Sequence, residues 1–278
     1  MNKIKPELPL QLLIEPETLH QALQTDNSLL IVDLSKSSVY QQAHIPGAVH
    51  VEPKSLISGQ QPAPGKLPSA EALSDLFSAI GLTEHSHVIA YDDEGGGWAG
   101  RFIWTLDMIG HKHYSYLNGG IHAWLSAGLP TEQTPAQPIP SNYKAIIQDG
   151  PSADKEYIQA KLGQPGFTIW DARSPAEYKG KQAFAQRAGH IPGAINFEWT
   201  EGMDKARDLK IKDPAELINT LSKLGINADD EIVTHCQTHH RSGFTYLLGK
   251  ILGFKNIKAY PGSWSEWGND QNTPIEID

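Results

Sequence analysis

Short apolar runs that end at a polar residue alternate along the chain with stretches of helical periodicity. Runs at 29–33 and 167–171 end in aspartate and predict buried strands, and runs at 88–91 and 231–234 predict a second strand in each half. Strands that alternate with helices favour parallel pairing, with helices on both faces of the sheet and ligands at the carboxyl ends of the strands. The pattern therefore predicts an α/β fold with one small parallel sheet, flanked by helices, in each half.

The two halves of the chain repeat one another. The phrase His-Ile-Pro-Gly-Ala occurs at 44–48 and again at 190–194, and residues 89–124 match residues 232–267 without a gap. Because proline fixes φ and glycine permits positive φ, we assign the repeated phrase to turns and give it no catalytic role. Helix ends are predicted in both halves by the N-caps Ser69 and Asp213 and by the terminal glycines Gly81 and Gly225.

A proline-rich stretch separates the two copies. Residues 133–140 contain three prolines and no apolar period, which is typical of a semi-rigid linker. We therefore predict a first domain at 1–135, a linker at 136–143 and a second domain at 144–278.

Composition and charge exclude several classes of function. The 278 residues include 23 Lys and Arg against 32 Asp and Glu, a net charge of -9, so the chain lacks the basic field that non-specific nucleic-acid binding requires. No apolar run approaches the ~20 residues of a membrane-spanning helix. The apolar stretch after Lys3 and Lys5 is short and interrupted, which argues against an export signal. A lone cysteine, Cys236, cannot form an intramolecular disulfide, so we expect a cytoplasmic protein without nucleic-acid or membrane partners.

Cys236 is the candidate nucleophile, and the repeat places it opposite Asp93, so only the second copy has a nucleophile there. It follows a predicted strand and precedes a helix whose apolar positions, from Phe244 to Leu252, follow the spacing i, i+3, i+4, i+7, i+8. Free N–H groups at a helix start and the permanent charge of Arg241 favour an anion. Such surroundings can lower a thiol pKa from ~8.5 to ~3.5–7.5, which predicts a reactive thiolate.

Two other interpretations of Cys236 are open to the sequence. An inert core cysteine would have apolar neighbours, whereas Cys236 precedes a run of polar residues that a buried loop could hardly satisfy. A metal site could use the thiol with His235, His239 and His240, but no second ligand cluster has matching spacing and the adjacent Arg241 would repel a cation. We predict neither a metal nor a cofactor.

The sequence resembles a two-domain rhodanese in its repeated halves, its paired His-Ile-Pro-Gly-Ala phrases and the segment Cys-Gln-Thr-His-His-Arg at 236–241. This segment is most similar to the Azotobacter-type bacterial form. The resemblance implies two tandem rhodanese-like domains, the first inactive and the second catalytic, with the site between them. It also implies a thiosulfate sulfurtransferase that carries sulfur as a Cys236 persulfide to cyanide or another thiophilic acceptor. Only four residues separate Cys236 from Arg241, one fewer than in cysteine phosphatases, and a loop of this size resembles a cradle for sulfur rather than phosphate.

The expected roles follow from this mechanism. Cys236 and Arg241 are the catalytic candidates, and Arg187 is the candidate for holding the anionic donor. The remaining substrate-binding candidates, whose N–H groups would surround the sulfur, are Gln237, Thr238, His239, His240 and Ser242. By resemblance Trp199 and Glu177 line the site, although a core tryptophan and a solvated glutamate are the simpler interpretations. A 3-mercaptopyruvate sulfurtransferase and a sulfur-relay carrier with a protein acceptor are the alternative functions.

Overall fold

Two parallel sheets follow one another along the chain in the computed structural model, which describes residues 10–26 and 28–278. Residues 1–9, on which the expectation of no export signal depends, lie outside the described part. The strands of the first sheet are β1 (Leu13–Ile14), β2 (Leu29–Asp33), β3 (Val49–His50), β4 (His87–Tyr91) and β5 (Tyr114–Leu117). Their order is β1-β5-β4-β2-β3 and every pairing is parallel.

The second sheet repeats this pattern with one strand fewer. Its strands are β6 (Phe167–Asp171), β7 (Ile195–Asn196), β10 (Glu231–His235) and β11 (Ile257–Ala259). Between β7 and β10 in the chain, β8 (Met203–Asp204) and β9 (Lys210–Ile211) form a separate antiparallel pair. The sheet order is β11-β10-β6-β7, again parallel throughout. Both parallel sheets, and the strands predicted in each half, are therefore confirmed.

Helices connect the strands in both halves. The first half contains α1 (Pro16–Leu23), α2 (Ser37–Gln42), α3 (Ala70–Ala79), α4 (Gly97–Met108) and α5 (Gly120–Ser126). The second half contains α6 (Lys155–Lys161), α7 (Pro175–Tyr178), α8 (Pro214–Leu224), α9 (Arg241–Ile251) and α10 (Ser263–Trp267). Short 3-10 turns occupy Pro53–Leu56 and Trp199–Gly202. None of the helices in the described part of the chain is long and apolar enough to cross a bilayer.

The predicted helix ends and turns have the expected local chemistry. The Ser69 hydroxyl accepts a hydrogen bond from the third residue of α3, and the Asp213 carboxylate does the same at α8. In the two His-Ile-Pro-Gly-Ala phrases, a buried histidine stacks on a tyrosine at 3.8–3.9 Å and bonds through Nδ1 to the same tyrosine's carbonyl oxygen. Each tyrosine hydroxyl donates to the alanine carbonyl of its phrase. These contacts give the repeated histidines a structural role.

Helices α4 and α9, which occupy equivalent places in the repeat, pack directly on each other. The contact is closest at the matched glycines Gly100 and Gly243, where a Cβ on Gly100 would lie 2.4 Å from the Gly243 carbonyl oxygen. A buried carboxylate joins the halves further along the same helices: Asp107 of α4 accepts hydrogen bonds from Tyr246 and Lys250 of α9. The two halves thus share one apolar core, and the N-terminus of α9 is fixed against α4.

The segment between α5 and α6 is attached to the first half. Its backbone N–H groups at Ser141, Ala145 and Gln148 donate to atoms of α3 and α4 at 2.7–3.0 Å. The predicted linker at 136–143 therefore lies along the first half of the chain.

Candidate active site

The five residues 236–240, which we name the cysteine loop, connect β10 to α9 at the carboxyl end of an inner strand. Cys236 follows directly on the strand and is only 1% exposed. His239 has a φ of 57°, a left-handed conformation that turns the chain back toward the start of α9 at Arg241. The loop therefore curls around the thiol and presents it to the N-terminus of α9.

The Cys236 thiol is surrounded by hydrogen-bond donors. The Ser242 hydroxyl donates to Sγ at 3.5 Å, and the backbone N–H groups of Ser242 and Thr238 also point at the sulfur. Burial raises the pKa of the thiol, but the Arg241 charge and these donors outweigh it, so the pKa lies below its ordinary value. The expectation of an activated thiol agrees with this geometry.

Arg241 is half-buried and forms a bidentate ion pair. Its Nη1 donates to Oε2 of Glu177 at 2.6 Å, and its Nη2 donates to Oε1 at 2.8 Å. Glu177 also completes a capping box with Ser174 at the start of α7. Burial raises the pKa of Glu177, but its bonds to Arg241 and Ser174 lower it further than that. The interpretation of Glu177 as a solvated glutamate is therefore wrong: its side chain is buried and holds Arg241.

His240 connects the cysteine loop to the first half of the chain. Its Nε2 forms an ion-paired hydrogen bond with Glu94, and its ring packs against Trp98 and Trp199 with centroids 4.5 and 5.7 Å apart. Burial lowers the pKa of His240, but the hydrogen bond and charge of Glu94 raise it above its ordinary value. Trp199 thus lies beside the loop and is only partly buried. Glu94 is not among the site residues predicted from the sequence, although the repeat places it in the loop equivalent to the cysteine loop.

The other two histidines near the thiol have separate partners. His235 Nδ1 lies 3.2 Å from the Cys236 carbonyl oxygen, and its Nε2 lies 3.5 Å from Asp171. Burial lowers the pKa of His235 to about 4. His239 Nδ1 lies 2.7 Å from the Ser242 hydroxyl. Within residues 10–26 and 28–278, no group of three or more His, Cys, Asp or Glu side chains is arranged to hold a metal.

The remaining candidates occupy the rim of the loop, with one exception. Gln237 and Thr238 are partly exposed; the Gln237 side chain donates to the Phe184 carbonyl at 3.1 Å, and the Thr238 carbonyl closely approaches Gly65 of the first half. Arg187 is the exception and corrects the prediction that it holds the donor. Its guanidinium donates to backbone carbonyls and a hydroxyl in the segment 267–273, so its donors are already used to fix the C-terminal turn.

The equivalent loop of the first half already holds an anion of its own. Asp92 is fully buried, and its carboxylate accepts hydrogen bonds from backbone N–H groups of the loop after β4, such as Gly95, and from that of Ala99 in the first turn of α4. In the repeat these positions match the donors to the Cys236 sulfur. The equivalent pairs are Gly95 with Thr238 and Ala99 with Ser242. Burial and the Glu94 charge raise the pKa of Asp92 to about 6. The N–H groups of the first loop therefore bind the Asp92 carboxylate, whereas the equivalent N–H groups of the second half face the Cys236 sulfur.

The chain combines two tandem parallel sheets with a thiol at the end of an inner strand. Comparison with known families identifies the class of protein that has this arrangement. A rhodanese-like domain model matches the chain twice, at 15–127 and at 154–270, so the chain belongs to the rhodanese family. The resemblance to two-domain rhodaneses is confirmed.

Within this family the chain is similar to curated bacterial proteins over nearly its whole length. It is 50% identical to a thiosulfate sulfurtransferase of Pseudomonas aeruginosa and 49% identical to one of Azotobacter vinelandii, in both cases over 96% of this chain and 98% of the relative. A sulfur carrier protein of Thermus thermophilus is 31% identical over 92% of this chain and 90% of the relative.

Solved structures show the same fold. The anaerobic ergothioneine biosynthesis enzyme of Chlorobium limicola superposes with a TM-score of 0.84 at 22% identity, over 96% of this chain and 70% of that one. At this identity the likeness concerns the fold alone.

Proposed function

We propose that this chain is a thiosulfate sulfurtransferase that carries the transferred sulfur as a persulfide on Cys236. The observation that supports this most directly is a buried thiol of lowered pKa at the start of α9, faced by the Ser242 hydroxyl and two backbone N–H groups. Sequence identities of 50% and 49% to thiosulfate sulfurtransferases support the same reaction.

The reaction is a double displacement. The Cys236 thiolate attacks the outer sulfur of thiosulfate, a new S–S bond forms, and the bond within thiosulfate breaks so that sulfite leaves with its electron pair. A thiophilic acceptor such as cyanide then attacks the outer sulfur of the persulfide. The Cys236–sulfur bond breaks, thiocyanate leaves, and the thiolate returns to its starting state.

The cysteine loop and the start of α9 serve both steps. The N–H groups of Thr238 and Ser242, with the Ser242 hydroxyl, stabilise negative charge on the sulfur in the thiolate and in the persulfide. Arg241 adds positive charge and is oriented by Glu177. Gln237 and His240 occupy the partly exposed rim through which a donor would approach.

Intact mass spectrometry tests the proposal. Thiosulfate should add the mass of one sulfur atom to the protein, and cyanide should remove it, because Cys236 is the only cysteine of the chain. Cys236→Ser should lose both steps. A Cys236→Ser protein that forms thiocyanate at the wild-type rate would refute the mechanism.

Donor preference is part of the same proposal. Thiosulfate is a compact dianion and 3-mercaptopyruvate a monoanion at neutral pH, so positive charge at the loop should favour thiosulfate. We expect a higher kcat/KM for thiosulfate when both donors are compared at equal pH and salt. A clear preference for 3-mercaptopyruvate would favour the alternative enzyme and leave sulfur transfer intact.

A sulfur-relay role with a protein acceptor is the second candidate. It is favoured by the similarity to a sulfur carrier protein and by Phe184, which is 60% exposed and whose carbonyl binds the rim residue Gln237. Transfer of labelled sulfur from the loaded protein to a reduced thiol protein, faster than to free thiol at equal concentration and lost in Phe184→Ser, would support this role. Equal rates would argue for a small-molecule acceptor.

The proposed division of labour keeps the boundaries predicted from the sequence, with an inactive domain at 1–135, a linker at 136–143 and a catalytic domain at 144–278. We place the protein in the cytoplasm, because a reducing compartment keeps an activated thiol such as Cys236 free for reaction.

A further inference from the structure

Arg101, in the second turn of α4, is a fully buried cation whose hydrogen bonds supply no opposite charge. Its Nη1 donates to the Gly65 carbonyl at 2.6 Å and its Nη2 to the Leu56 carbonyl at 2.7 Å, while Nε has no partner in the described structure. Its guanidinium lies over the Trp104 ring at 4.6 Å. Burying an ion is costly unless an opposite charge compensates it. Carbonyl groups and an aromatic face offer Arg101 only partial charges.

The contrast with Arg173 shows how a second buried guanidinium of this chain is compensated. Arg173 is 1% exposed and lies over Trp264 at 4.4 Å, much as Arg101 lies over its tryptophan. Arg173, however, binds the carboxylate of Asp171, with Nη2 and Oδ2 2.6 Å apart. Of these two buried arginines, Arg173 has a carboxylate partner and Arg101 has none in the described structure.

Arg101 lies directly across the domain interface from the start of α9, next to the cysteine loop. A Cβ on Gly243, the residue after Ser242, would lie 2.7 Å from the Arg101 backbone nitrogen. Trp104, which contacts the Arg101 guanidinium, also packs edge-on against His239 with centroids 4.5 Å apart. His239 in turn bonds the Ser242 hydroxyl that donates to the thiol. The guanidinium and the sulfur thus belong to one buried cluster.

The charged pairs around Cys236 are already compensated. Arg241 is paired with Glu177 through two hydrogen bonds, and His240 is paired with Glu94. Each pair combines one positive and one negative group, so its cation acts on the thiol more weakly than an unpaired cation would.

The other titratable groups near the loop carry little charge of their own. Burial, and then the Arg101 charge, lower the pKa of His239 well below its ordinary value. Burial lowers the pKa of His235 to about 4, so both rings are neutral near pH 7. Asp92, whose pKa is raised to about 6, is bound by the N–H groups of its own loop. Burial lowers the pKa of Arg101 to about 9, and the one charge that opposes this effect is that of Cys236.

We propose that Arg101 of the first domain is a second counter-ion, beside Arg241, of the Cys236 thiolate and, after sulfur transfer, of the persulfide. In the described structure the buried guanidinium has no carboxylate partner, and Cys236 is the group of opposite charge that acts on it. Opposite charges in a low-dielectric interior stabilise each other strongly. The first domain, which has no nucleophile, thereby contributes directly to the reactivity of the second. The persulfide part of this inference rests on the proposed function; the thiolate part does not.

The pH dependence of Cys236 alkylation tests the proposal. Iodoacetamide reacts with the thiolate, and the chain has no other cysteine, so the midpoint of the rate against pH reports the pKa of this thiol alone. Arg101→Met should raise the midpoint by about one pH unit or more and slow alkylation about tenfold at pH values below the wild-type midpoint. Arg101→Lys keeps the charge and should keep most of the wild-type profile. Lys223→Met, at an exposed position of α8, removes one positive charge elsewhere and should leave the midpoint unchanged.

Three outcomes would overturn the proposal. The first is a folded Arg101→Met protein with the wild-type midpoint. The second is an equal shift in Arg101→Lys and Arg101→Met, because the hydrogen bonds to the 56–65 segment, and not the charge, would then control the thiol. The third is an equal shift in Lys223→Met. Should Arg101→Met fail to fold, Arg101→Gln, which is neutral but can still donate to one carbonyl, makes the same comparison.

Alkylation requires no sulfur donor, so this test is separate from that of the proposed function. If Arg101→Met shifts the alkylation profile but thiosulfate cannot load the wild-type protein with sulfur, the role of Arg101 is supported and the sulfurtransferase function is refuted. If thiosulfate loads the protein but the profile does not shift, the function is supported and the role of Arg101 is refuted.

Discussion

Replacement of Gly100 by alanine tests whether the close packing of α4 on α9 maintains the site. The added methyl would lie 2.4 Å from the Gly243 carbonyl oxygen and 2.6 Å from its carbon. Both obstructing atoms belong to the backbone, so no side-chain rotation can relieve the overlap. The two helices must move apart.

The cost of that movement can be estimated from the structure. Restoring an ordinary contact of about 3.4 Å requires a separation of about 1 Å across a well-packed interface. Overpacking of this kind costs roughly 1–3 kcal/mol, and alanine recovers about 1 kcal/mol through its higher helix propensity. Since backbone blocks the methyl, we take the upper value and expect a net loss of about 2 kcal/mol in the free energy of unfolding. At about 2–4 °C for each kcal/mol, Tm should fall by about 4–8 °C.

The same separation displaces the start of α9, which holds Ser242 and Arg241 at the thiol. Because a misplacement of about 1 Å can reduce turnover by about 100-fold, thiosulfate kcat/KM should fall by roughly 10–100-fold. Gly249→Ala, in the partner helix α9, is the matched control, because its methyl would overlap only with the movable end of the Ile257 side chain. Calorimetry and steady-state kinetics compare the two variants. Equal Tm and activity in Gly100→Ala and wild type would refute the reasoning.

Three further predictions concern the thiol and its surroundings. Arg241→Ala leaves the Glu177 carboxylate unpaired beside the loop, so thiosulfate KM should rise and kcat/KM fall about tenfold or more; steady-state kinetics with unchanged KM would contradict this. Because the folded thiol pKa is lowered, wild type should gain stability over Cys236→Ser as pH rises through that value, with the gain complete above ~8.5 and lost at lower pH; parallel Tm profiles would contradict this. Asp93→Cys combined with Cys236→Ser should give no thiocyanate, because Asp92 already occupies the N–H donors of that loop.

Local patterns predicted the parts of the fold that depend on neighbouring residues. The caps at Ser69 and Asp213 and the apolar face of α9 follow from spacings within a few turns. The cysteine loop was also predictable, because a strand, a polar loop and a helix follow directly on one another. These features need no knowledge of which helix packs on which.

The positions of the other site residues depend on contacts between residues far apart in the chain. Glu177 meets Arg241 across 64 positions, and no local pattern distinguishes a buried glutamate at a helix start from a solvated one. Arg187 fits an anion-binding role by charge alone, but the fold directs it into the C-terminal turn. Glu94 could have been suggested by the repeat, since equivalent helices that pack on each other bring equivalent loops face to face.

The repeat also explains how one copy can be without a nucleophile and keep its fold. A loop that aims several N–H groups at one point needs an acceptor there, because unsatisfied buried donors are costly. The second loop uses the Cys236 sulfur, and the first uses the carboxylate of Asp92, one position earlier in the repeat. A permanent side-chain acceptor stabilises the first loop but excludes an incoming anion. This difference supports the proposal that chemistry is confined to the second copy, while the first copy presents Glu94 to the cysteine loop.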